Sequence, residues 1–530
     1  MQFHHETIEE AKVKFLQTKA DKRILVLTGI LTFVYFGLIA FAFTIGNMVL
    51  FALLIAGEVF HLFQVAMYLY TVWETDHVAE KDESFAEPVD IFVTVVSEPV
   101  EIVRETIEAC KAMTYPNFKV HILNDGLVAK KDNWMLMEEL AQELGVNCIT
   151  RKVPGGAKAG NINHALEETT APFVVIFDAD HVPHPDFLQK VMPYFVDPKM
   201  AFVQSPQFYK NFQLNFVTQS AWEQQELFFG PICKGKNRLN AATMSGTNMA
   251  IRRTALLQAG GMSPESIAED FLTGLKIHAA GWKSVFVPEV LAEGLAPEDF
   301  LSYYKQQFRW ARGALDVVFS YNVVFKKGLT MHQRLQYISS VSFYFSGLVV
   351  LMNALIPIAF FFTGAVPFLI SNMVLAAVFL PYIFLMLYIL QSSSNFTFTF
   401  KALVFSMAGF TIHLKALWEA VTRKKSKFVV TPKRQQTGNF INLVIPQILY
   451  ICLVAVGMYV AFQREGFSAS FVTNTAWAML NVGVFIPFIH AALPKKATAE
   501  EAEESASMDL PGSSITDEVL VEPALNVVEA

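Results

Sequence analysis

The most informative shortage in this sequence is a shortage of charge. Only 17% of the 530 residues are Asp, Glu, Lys or Arg, whereas 53% are hydrophobic and 13% are aromatic. A typical soluble domain has about 25% charged residues, so the composition argues against an ordinary soluble protein. The net charge of −7 comes largely from the C-terminal tail and says little about partners. We expect no nucleic-acid partner.

Cysteine is also scarce, and its spacing carries no metal-binding signal. The four cysteines are Cys110, Cys148, Cys233 and Cys452. None of them forms part of a paired spacing typical of zinc sites. Three of them fall in a region that we assign to the reducing cytoplasm, and the fourth falls in an apolar stretch. We therefore expect neither disulfides nor zinc.

The hydrophobic residues are concentrated in long stretches. Crossing the hydrocarbon core of a membrane takes about 20 mostly apolar residues. The six stretches of sufficient length are residues 24–45, 48–70, 337–362, 366–391, 440–462 and 472–492. They predict a helical polytopic membrane domain of about six spans. No small-residue cleavage site follows the first stretch, so we interpret it as a retained span. Glu58 and His61 predict that the second span packs against protein along one side.

Basic residues indicate how these spans are oriented. Lys and Arg are concentrated in residues 11–23, 423–434 and 494–496, whereas two of the turns between spans carry no charge. Positively charged loops stay on the cytoplasmic side of a membrane. We therefore expect a multi-pass protein of the plasma (inner) membrane, with both termini and residues 72–336 in the cytoplasm.

These signals divide the chain into seven segments. The tail is acidic, rich in Ser and without aromatic residues, so we expect it to be disordered. The predicted segments are 1–22 (cytoplasmic N-terminal segment), 23–71 (two transmembrane helices), 72–336 (cytoplasmic domain with interfacial helices), 337–392 (two transmembrane helices), 393–439 (interfacial helix and loop), 440–492 (two transmembrane helices) and 493–530 (acidic tail).

The cytoplasmic segment begins with the alternation of an α/β domain. Amphipathic helical patterns separate short runs rich in β-branched residues. The predicted strands are residues 89–96, 119–125, 147–153 and 173–180. Such alternation favours a parallel, Rossmann-like sheet, and ligands bind such sheets at the carboxyl ends of their strands. Asp125 and Asp178 both stand at predicted carboxyl ends.

The run FVVIFDAD ends in two aspartates that could share one ligand. In an extended segment, residues two apart point the same way, so Asp178 and Asp180 could reach one ion or one phosphate group. Oxygen ligands suit Mg²⁺ or Mn²⁺. A polar turn is the commoner origin of such a pattern, so its assignment depends on the other motifs.

Three further stretches carry candidate chemistry, each beside an ordinary structural alternative. In PGGAKAGNINHALEE, Lys158 precedes a helix that we expect Asn161 to cap, an arrangement that suits phosphate. The alternative is a flexible loop. In SIAEDF, Asp270 could act as a general base, although acidic residues at a helix start also stabilise the helix dipole.

The third stretch, YYKQQFRWARGAL, is an amphipathic helix close to a membrane span. Gln306 and Arg309 share one helix face. The Arg309 guanidinium suits a diphosphate, and Trp310 offers a flat apolar surface to a sugar ring. The alternative is an interfacial helix whose Arg and Trp lie at the lipid headgroups.

The order D-x-D, E-D and Q-x-x-R-W between membrane spans resembles the processive glycosyltransferases of family 2, which are the cellulose, chitin and hyaluronan synthases. The chain is most similar to bacterial cellulose synthase catalytic subunits, over about residues 88–435 and the spans. The stretch FVVTPK is similar to their gating loop. Its fixed positions are filled by Phe428, Val430, Thr431 and Lys433.

The resemblance implies an α/β GT-A-type glycosyltransferase domain inserted in the membrane domain, with a role for each matching residue. The residues that would bind the nucleotide-sugar are Glu98, Asp125, Lys158, Asp178, Asp180, Gln306 and Arg309. Asp180 would also hold Mg²⁺ or Mn²⁺, Asp270 would be the catalytic base, and Trp310 would contact the acceptor sugar. The gating loop would close over the bound nucleotide.

The implied activity is that of a UDP-forming hexosyltransferase. It would polymerise a β-linked, cellulose-like glucan from a UDP-sugar, with UDP-glucose favoured, and translocate the growing polysaccharide across the bilayer. An envelope or periplasmic partner subunit is possible but is not identified. No room remains after the last span for a PilZ domain, so we expect no direct control by cyclic di-GMP.

Two departures from the family pattern leave alternatives open. Valines replace the polar and aromatic residues that usually precede Glu98, which leaves base recognition undecided. Met244 and Ser245 stand where cellulose synthases often have F-F-C-G, so the acceptor contact and the product can differ. The alternatives are another polymer (a curdlan-like or mixed-linkage glucan, or a chitin-like or hyaluronan-like chain) and, from a different class, a transporter with a nucleotide-sensing domain.

Overall fold

A seven-stranded sheet forms the centre of the region that follows the first two long apolar helices. The computed structural model describes residues 7–41, 44–424, 436 and 438–494. The strands of the sheet are β1 (Val89–Val95), β2 (Phe118–Asn124), β3 (Asn147–Thr150), β4 (Phe173–Asp178), β5 (Met200–Gln204), β6 (Met249–Arg252) and β7 (Lys283–Phe286).

The strand order across the sheet is β7-β5-β6-β4-β1-β2-β3. Neighbouring strands are parallel except β6, which is antiparallel to both β4 and β5. The predicted parallel sheet is therefore confirmed for β1 to β4 and is wrong at β6. After β5, the chain remains at the carboxyl edge of the sheet through residues 205–248. It then re-enters the sheet from this edge, so β6 runs antiparallel to β4 and β5. The Ser205 N–H donates to the Asn248 carbonyl at this entry (3.0 Å).

The central strands are unbroken apolar runs because both of their faces are buried. Every residue of β1 is buried. Phe92 belongs to one hydrophobic core, while Ile91, Val93 and Val95 belong to the core on the opposite face. Successive side chains of a strand point to opposite faces, so a strand covered on both sides shows no polar alternation.

Helices cover the sheet and continue past it. They are Val100–Lys111, Met135–Leu144, Ala157–Glu168, Phe187–Val191, Phe216–Leu227, Cys233–Lys236, Arg253–Gln258, Glu269–Ala279 and Phe300–Phe319, with a π-helical turn at Phe228–Ile232 and 3₁₀ turns at Met192–Val196 and Asn237–Leu239. A small sheet joins Val182–Pro183, Phe208–Tyr209 and Ala292–Gly294. The prediction that Asn161 caps a helix is wrong. The helix already begins at Ala157, and the Asn161 amide instead donates to the Leu123 carbonyl (2.9 Å).

Seven helices within the described residues are long and apolar enough to cross a membrane. They are Lys22–Ile39, Met48–Val72, Met331–Thr363, Asn372–Ser393, Phe400–Val421, Ile445–Glu465 and Ala469–Ala491. The helix beyond the six predicted spans is Phe400–Val421, which we expected to be interfacial. Half of it is buried inside the protein, the highest share among the seven. Its two parts, Phe400–Ala408 and Phe410–Val421, meet at Gly409.

The second apolar helix packs against its neighbours through polar side chains, as its composition predicts. The Glu58 carboxylate accepts a hydrogen bond from the Tyr35 hydroxyl (3.0 Å), and the His61 ring lies 2.7 Å from the Tyr382 hydroxyl. These contacts join Met48–Val72 to the apolar helices on either side. The two ionisable groups therefore face protein.

A short N-terminal helix, Ile8–Leu16, docks on the α/β domain. Its residues Ala11 and Phe15 are buried in the larger core. The Lys12 ammonium lies 2.5 Å from the Glu293 carboxylate. The Lys234 ammonium donates to three carbonyl oxygens at the end of this helix, at 3.0–3.1 Å. Residues that precede the first apolar helix are therefore packed into the α/β domain.

Candidate active site

A cavity of about 410 Å³ lies at the carboxyl edge of the sheet. Nine of the thirteen predicted site residues line it. They are Glu98, Asp125, Lys158, Asp178, Asp180, Asp270, Gln306, Arg309 and Trp310. The other four, the predicted gating-loop residues, lie outside the described residues. They are Phe428, Val430, Thr431 and Lys433. The fold thus brings together side chains that are far apart in the sequence, while their individual roles stay predictions.

Lys158 lies at the centre of the charged groups in the cavity. It follows two glycines at the start of helix Ala157–Glu168, and its ammonium contacts Asp178 and donates to the Gly246 carbonyl (2.9 Å). Burial lowers the pKa of Lys158, but the negative charges of Asp178, Glu269 and Asp270 outweigh burial and raise the pKa above its ordinary value. Lys158 therefore stays charged and compensates several carboxylates at once.

Gly246 allows the loop before β6 to approach Asp270. Its φ is +81°, in the left-handed region that favours glycine. A Cβ atom at this position would lie 2.8 Å from the Asp270 Oδ2 atom. A side chain here would therefore both strain the backbone and displace the carboxylate.

Glu269 and Asp270 begin the helix Glu269–Ala279, and both point into the cavity region. Burial raises the pKa of Glu269 to about 7, and the negative charge of Asp270 adds to the rise. Burial also raises the pKa of Asp270, although the Phe271 N–H (2.7 Å) and the charge of Lys158 oppose it. A raised pKa makes a carboxylate a better proton acceptor near neutral pH.

Asp180 and the neighbouring His181 are the residues that best fit a divalent cation. Asp180 is buried, and its Oδ2 atom accepts a hydrogen bond from the Leu295 N–H (3.2 Å). His181 is also buried, and its ring packs against Gly294, where a Cβ atom would lie 2.5 Å from the Nε2 atom. Neither ring nitrogen of His181 has a hydrogen-bond partner within the described residues.

Those two side chains would not complete a coordination shell alone. No group of three or more potential metal ligands occurs among the described residues. Mg²⁺ and Mn²⁺ sites in phosphate-binding proteins commonly combine one or two protein ligands with phosphate oxygens. The donor set therefore fits a cation that binds together with a phosphorylated ligand.

The end of the cavity nearest β1 and β2 contains a buried ion pair that sequence reasoning missed. Both oxygens of the Asp125 carboxylate accept hydrogen bonds from Arg151, at 2.6 and 2.7 Å. Burial raises the pKa of Asp125, although Arg151 opposes the rise. Arg151 directly follows β3, and its N–H donates to the Asn124 carbonyl (3.1 Å). In the sequence, the one feature that could have indicated this pair is that Asp125 and Arg151 occupy matching positions after two neighbouring strands.

Glu98 organises the loop that follows β1. Its Oε2 atom accepts hydrogen bonds from the N–H groups of Val96 (2.7 Å) and Ser97 (3.0 Å). One carboxylate oxygen is therefore engaged in holding the loop at the edge of the cavity. The valine that departs from the family pattern, Val96, itself lines the cavity.

One long helix, Phe300–Phe319, supplies the opposite wall. Asp299 caps it by accepting a hydrogen bond from the Ser302 N–H (2.8 Å). The side chains of Gln306, Arg309 and Trp310 line the cavity, which places Trp310 at the cavity wall.

Comparison with known proteins identifies the class of this domain. Residues 87–313 match the family model Glycosyltransferase like family 2. The mannosyltransferase PcManGT from Pyrobaculum calidifontis, solved in complex with GDP-Man and Mn²⁺, has the same fold. It superposes with a TM-score of 0.51 at 18% identity and covers 71% of this chain and 100% of its own. The chain therefore carries a family 2 glycosyltransferase domain of GT-A fold together with long apolar helices.

Within that class the chain is similar to bacterial cellulose synthases. Residues 258–396 match the family model Cellulose synthase. The cellulose synthase catalytic subunit (UDP-forming) of Pseudomonas fluorescens (strain SBW25) is 35% identical over 341 residues, which are 62% of this chain and 45% of that protein. Cellulose synthase 2 of Novacetimonas hansenii is 30% identical over 461 residues, 82% of this chain and 28% of that protein. The chain spans less than half the length of either relative.

Proposed function

We propose that this chain is a membrane-embedded, processive, inverting glycosyltransferase that extends a β-linked glucan from UDP-glucose on the cytoplasmic face and passes the product across the membrane. One observation carries the proposal. Acidic and basic residues from five separate parts of the sequence converge on one cavity whose wall is the helix Phe300–Phe319. The similarity to cellulose synthases supports the donor and the class of product.

The reaction that we propose is a single displacement at the anomeric carbon. A hydroxyl oxygen of the acceptor sugar attacks C1 of the donor, the bond from C1 to the UDP oxygen breaks, and the configuration inverts. The Asp270 carboxylate takes the hydroxyl proton. Its raised pKa and its place beside the Lys158 ammonium support this role, because a general base works best when its pKa lies near the working pH.

The remaining cavity residues bind the two ends of the donor and the acceptor. Lys158 and Arg309 offset the charge that develops on the departing diphosphate, with Asp178 and Gln306 beside them. Asp125 and Glu98 lie at the nucleoside end, and Trp310 offers its ring to the acceptor sugar. The predicted gating loop would then exclude water from the closed site.

We further propose that Asp180 and His181 hold Mg²⁺ or Mn²⁺ together with the diphosphate. The bound ion would supply positive charge beside the leaving group. The buried carboxylate, and the imidazole that makes no hydrogen bond within the part of the chain that the structure describes, support these two as its protein ligands.

Membranes that contain the full chain provide the test. They would be incubated with a panel of radiolabelled UDP-sugars, and the product digested with linkage-specific hydrolases. We expect glucose to enter a polymer that a cellulose-degrading β-glucanase cleaves, and we expect Asp270→Asn to abolish transfer while UDP binding remains. Failure of every UDP-sugar to yield polymer, or full activity of the Asp270→Asn protein, would contradict the proposal. Transfer of a different sugar would correct only the substrate.

A further inference from the structure

The ion pair at the nucleoside end of the cavity has a fixed geometry. The Arg151 Nε and Nη2 atoms donate to the two oxygens of Asp125 at 2.6 and 2.7 Å. Both residues are 5% exposed, and both line the cavity. The guanidinium and the carboxylate therefore form a forked pair, which is the strongest and most directional arrangement for these groups.

The rest of the Arg151 guanidinium is held by the loop that presents Lys158. It donates to the carbonyls of Gly155 and Ala157, the latter at 3.3 Å. Gly155 and Gly156 adopt positive φ values (+133° and +69°) readily, whereas Ala157 (φ +44°) lies in a region that is unfavourable for a non-glycine residue, and the hydrogen bonds from Arg151 help to hold it there.

Gly160 completes the socket of Arg151 in the first turns of the helix Ala157–Glu168. A Cβ atom at Gly160 would lie 2.5 Å from the Arg151 Nη1 atom. The guanidinium therefore packs closely against the backbone at Gly160, and a side chain at that position would displace it from Asp125.

The forked pair decides which hydrogen bonds Asp125 can still accept. A carboxylate has two oxygens with about four acceptor positions in total. Arg151 occupies one position on each oxygen, namely the two that point toward a shared partner. The pairing edge of guanine presents two adjacent donors, N1–H and N2–H, which need those same two positions. Uracil presents one donor, N3–H, between two carbonyl acceptors, and a single remaining position on one oxygen satisfies it.

Building on the proposed function, we propose that Arg151 determines which base the donor nucleotide carries. Because it occupies the paired acceptor positions of Asp125, one position remains for the single N–H of uracil or thymine, but no pair of positions remains for the two adjacent donors of guanine. Arg151 is thus a specificity-determining and positioning residue, whereas Asp125 contacts the base.

The first test uses the unaltered chain. Binding of UDP, of N3-methyl-UDP and of GDP to the full-length protein in detergent would be compared by calorimetry. Loss of one buried hydrogen bond and the clash of the methyl group should weaken N3-methyl-UDP by about tenfold or more relative to UDP, and GDP should bind more weakly than UDP. Equal binding of UDP and N3-methyl-UDP would overturn the proposal.

The second test changes the pair itself. Arg151→Lys keeps the charge but removes the fork, because one ammonium that donates to a single outer position need not occupy the paired positions on both oxygens that guanine requires. We expect the ratio of the Kd for GDP to the Kd for UDP to fall by about tenfold or more. Arg104→Lys is the matched control, because Arg104 also makes a forked pair, through Nη1 and Nη2, with Glu143 on the exposed surface (2.5 and 2.7 Å).

The two tests distinguish a role of Arg151 in base specificity from a role in stability alone. They also distinguish failure of this inference from failure of the proposed function. A purely structural role for Arg151 would weaken both nucleotides in proportion and leave the ratio unchanged, and this would overturn the proposal. If the Arg151→Lys protein does not fold, the binding of GDP and of UDP to the unaltered chain decides, and equal Kd values for the two nucleotides would overturn the proposal. If UDP-glucose is polymerised but neither test shows base selectivity, only the inference fails. If no uridine nucleotide binds at all, the proposed function fails with it.

Discussion

Replacing Gly246 by Ala would test how the loop before β6 positions Asp270. Two effects add in this variant. The first is backbone strain, because a non-glycine residue at φ +81° costs about 1 kcal/mol of folding free energy. The second is steric, because the new Cβ atom would lie 2.8 Å from the Asp270 Oδ2 atom, about 0.6 Å closer than an ordinary contact of 3.4 Å.

The steric effect should appear in catalysis more than in stability. A displacement of about 1 Å in a reacting group can reduce the rate about 100-fold, so a shift of roughly half that size should lower kcat about tenfold. Binding of UDP should change less than kcat, since the new Cβ atom would lie 2.8 Å from Asp270 Oδ2 but 3.7 Å, an ordinary contact distance, from the Lys158 ammonium that we place at the diphosphate. We would measure kcat from UDP release, UDP affinity by calorimetry and Tm in detergent.

Gly281→Ala separates the two effects. Gly281 has φ +86°, close to that of Gly246, but a Cβ atom there would meet nothing within 4 Å. Both variants should lose a similar amount of stability, and only Gly246→Ala should lose kcat. Equal kcat values in the two variants, with equal losses of Tm, would refute the claim that this glycine serves the position of Asp270.

Two further predictions concern the charges around Lys158. Burial raises the pKa of Glu269 from its ordinary 4.5 to about 7, so the folded state favours the protonated form and loses stability as the pH rises from about 4.5 to 7. Glu269→Gln should therefore be more stable than the parent chain by about 3 kcal/mol at pH 8 and by almost nothing at pH 4; equal Tm differences at both pH values would contradict this. Lys158→Met leaves buried carboxylates uncompensated and should cost about 3 kcal/mol of unfolding free energy. Lys190→Met, which removes an exposed pair with Glu289 (2.9 Å), should cost less than about 1 kcal/mol, and equal losses would argue against the central place of Lys158.

The sequence predicted which residues meet in one cavity better than it predicted the sheet, and the reason is physical. Asp125 and Asp178 could be placed together because apolar runs mark buried strands, and the carboxyl ends of parallel strands share one edge. Direction is not encoded in hydrophobic periodicity, so the antiparallel β6 was missed. The apolar helix beyond the six predicted spans, Phe400–Val421, was predicted to be interfacial. Length and composition alone do not distinguish a membrane span from a helix enclosed by protein.

Arg151 shows what periodicity cannot supply. Its position depends on the register between β2 and β3, which sets Arg151 beside Asp125 although the two residues are 26 positions apart in the sequence. Gly246 is similar, because its importance follows from a close approach to Asp270 and not from any pattern around it. Local motifs predicted residues that meet in one cavity, whereas the contacts that orient them required the fold.

The charge of the cavity gives a physical reason for a cation to enter with the donor. The ionisable residues that line it are six acidic side chains (Glu98, Asp125, Asp178, Asp180, Glu269, Asp270) and four basic ones (Lys130, Arg151, Lys158, Arg309). Their formal sum is −2, and a nucleoside diphosphate is also an anion. Like charges in a partly desolvated site repel strongly, and Arg151 is already committed to Asp125. A divalent cation at Asp180 would bring the wall of the cavity to neutrality, so donor affinity should depend on Mg²⁺ or Mn²⁺ more steeply than the affinity for an uncharged acceptor sugar.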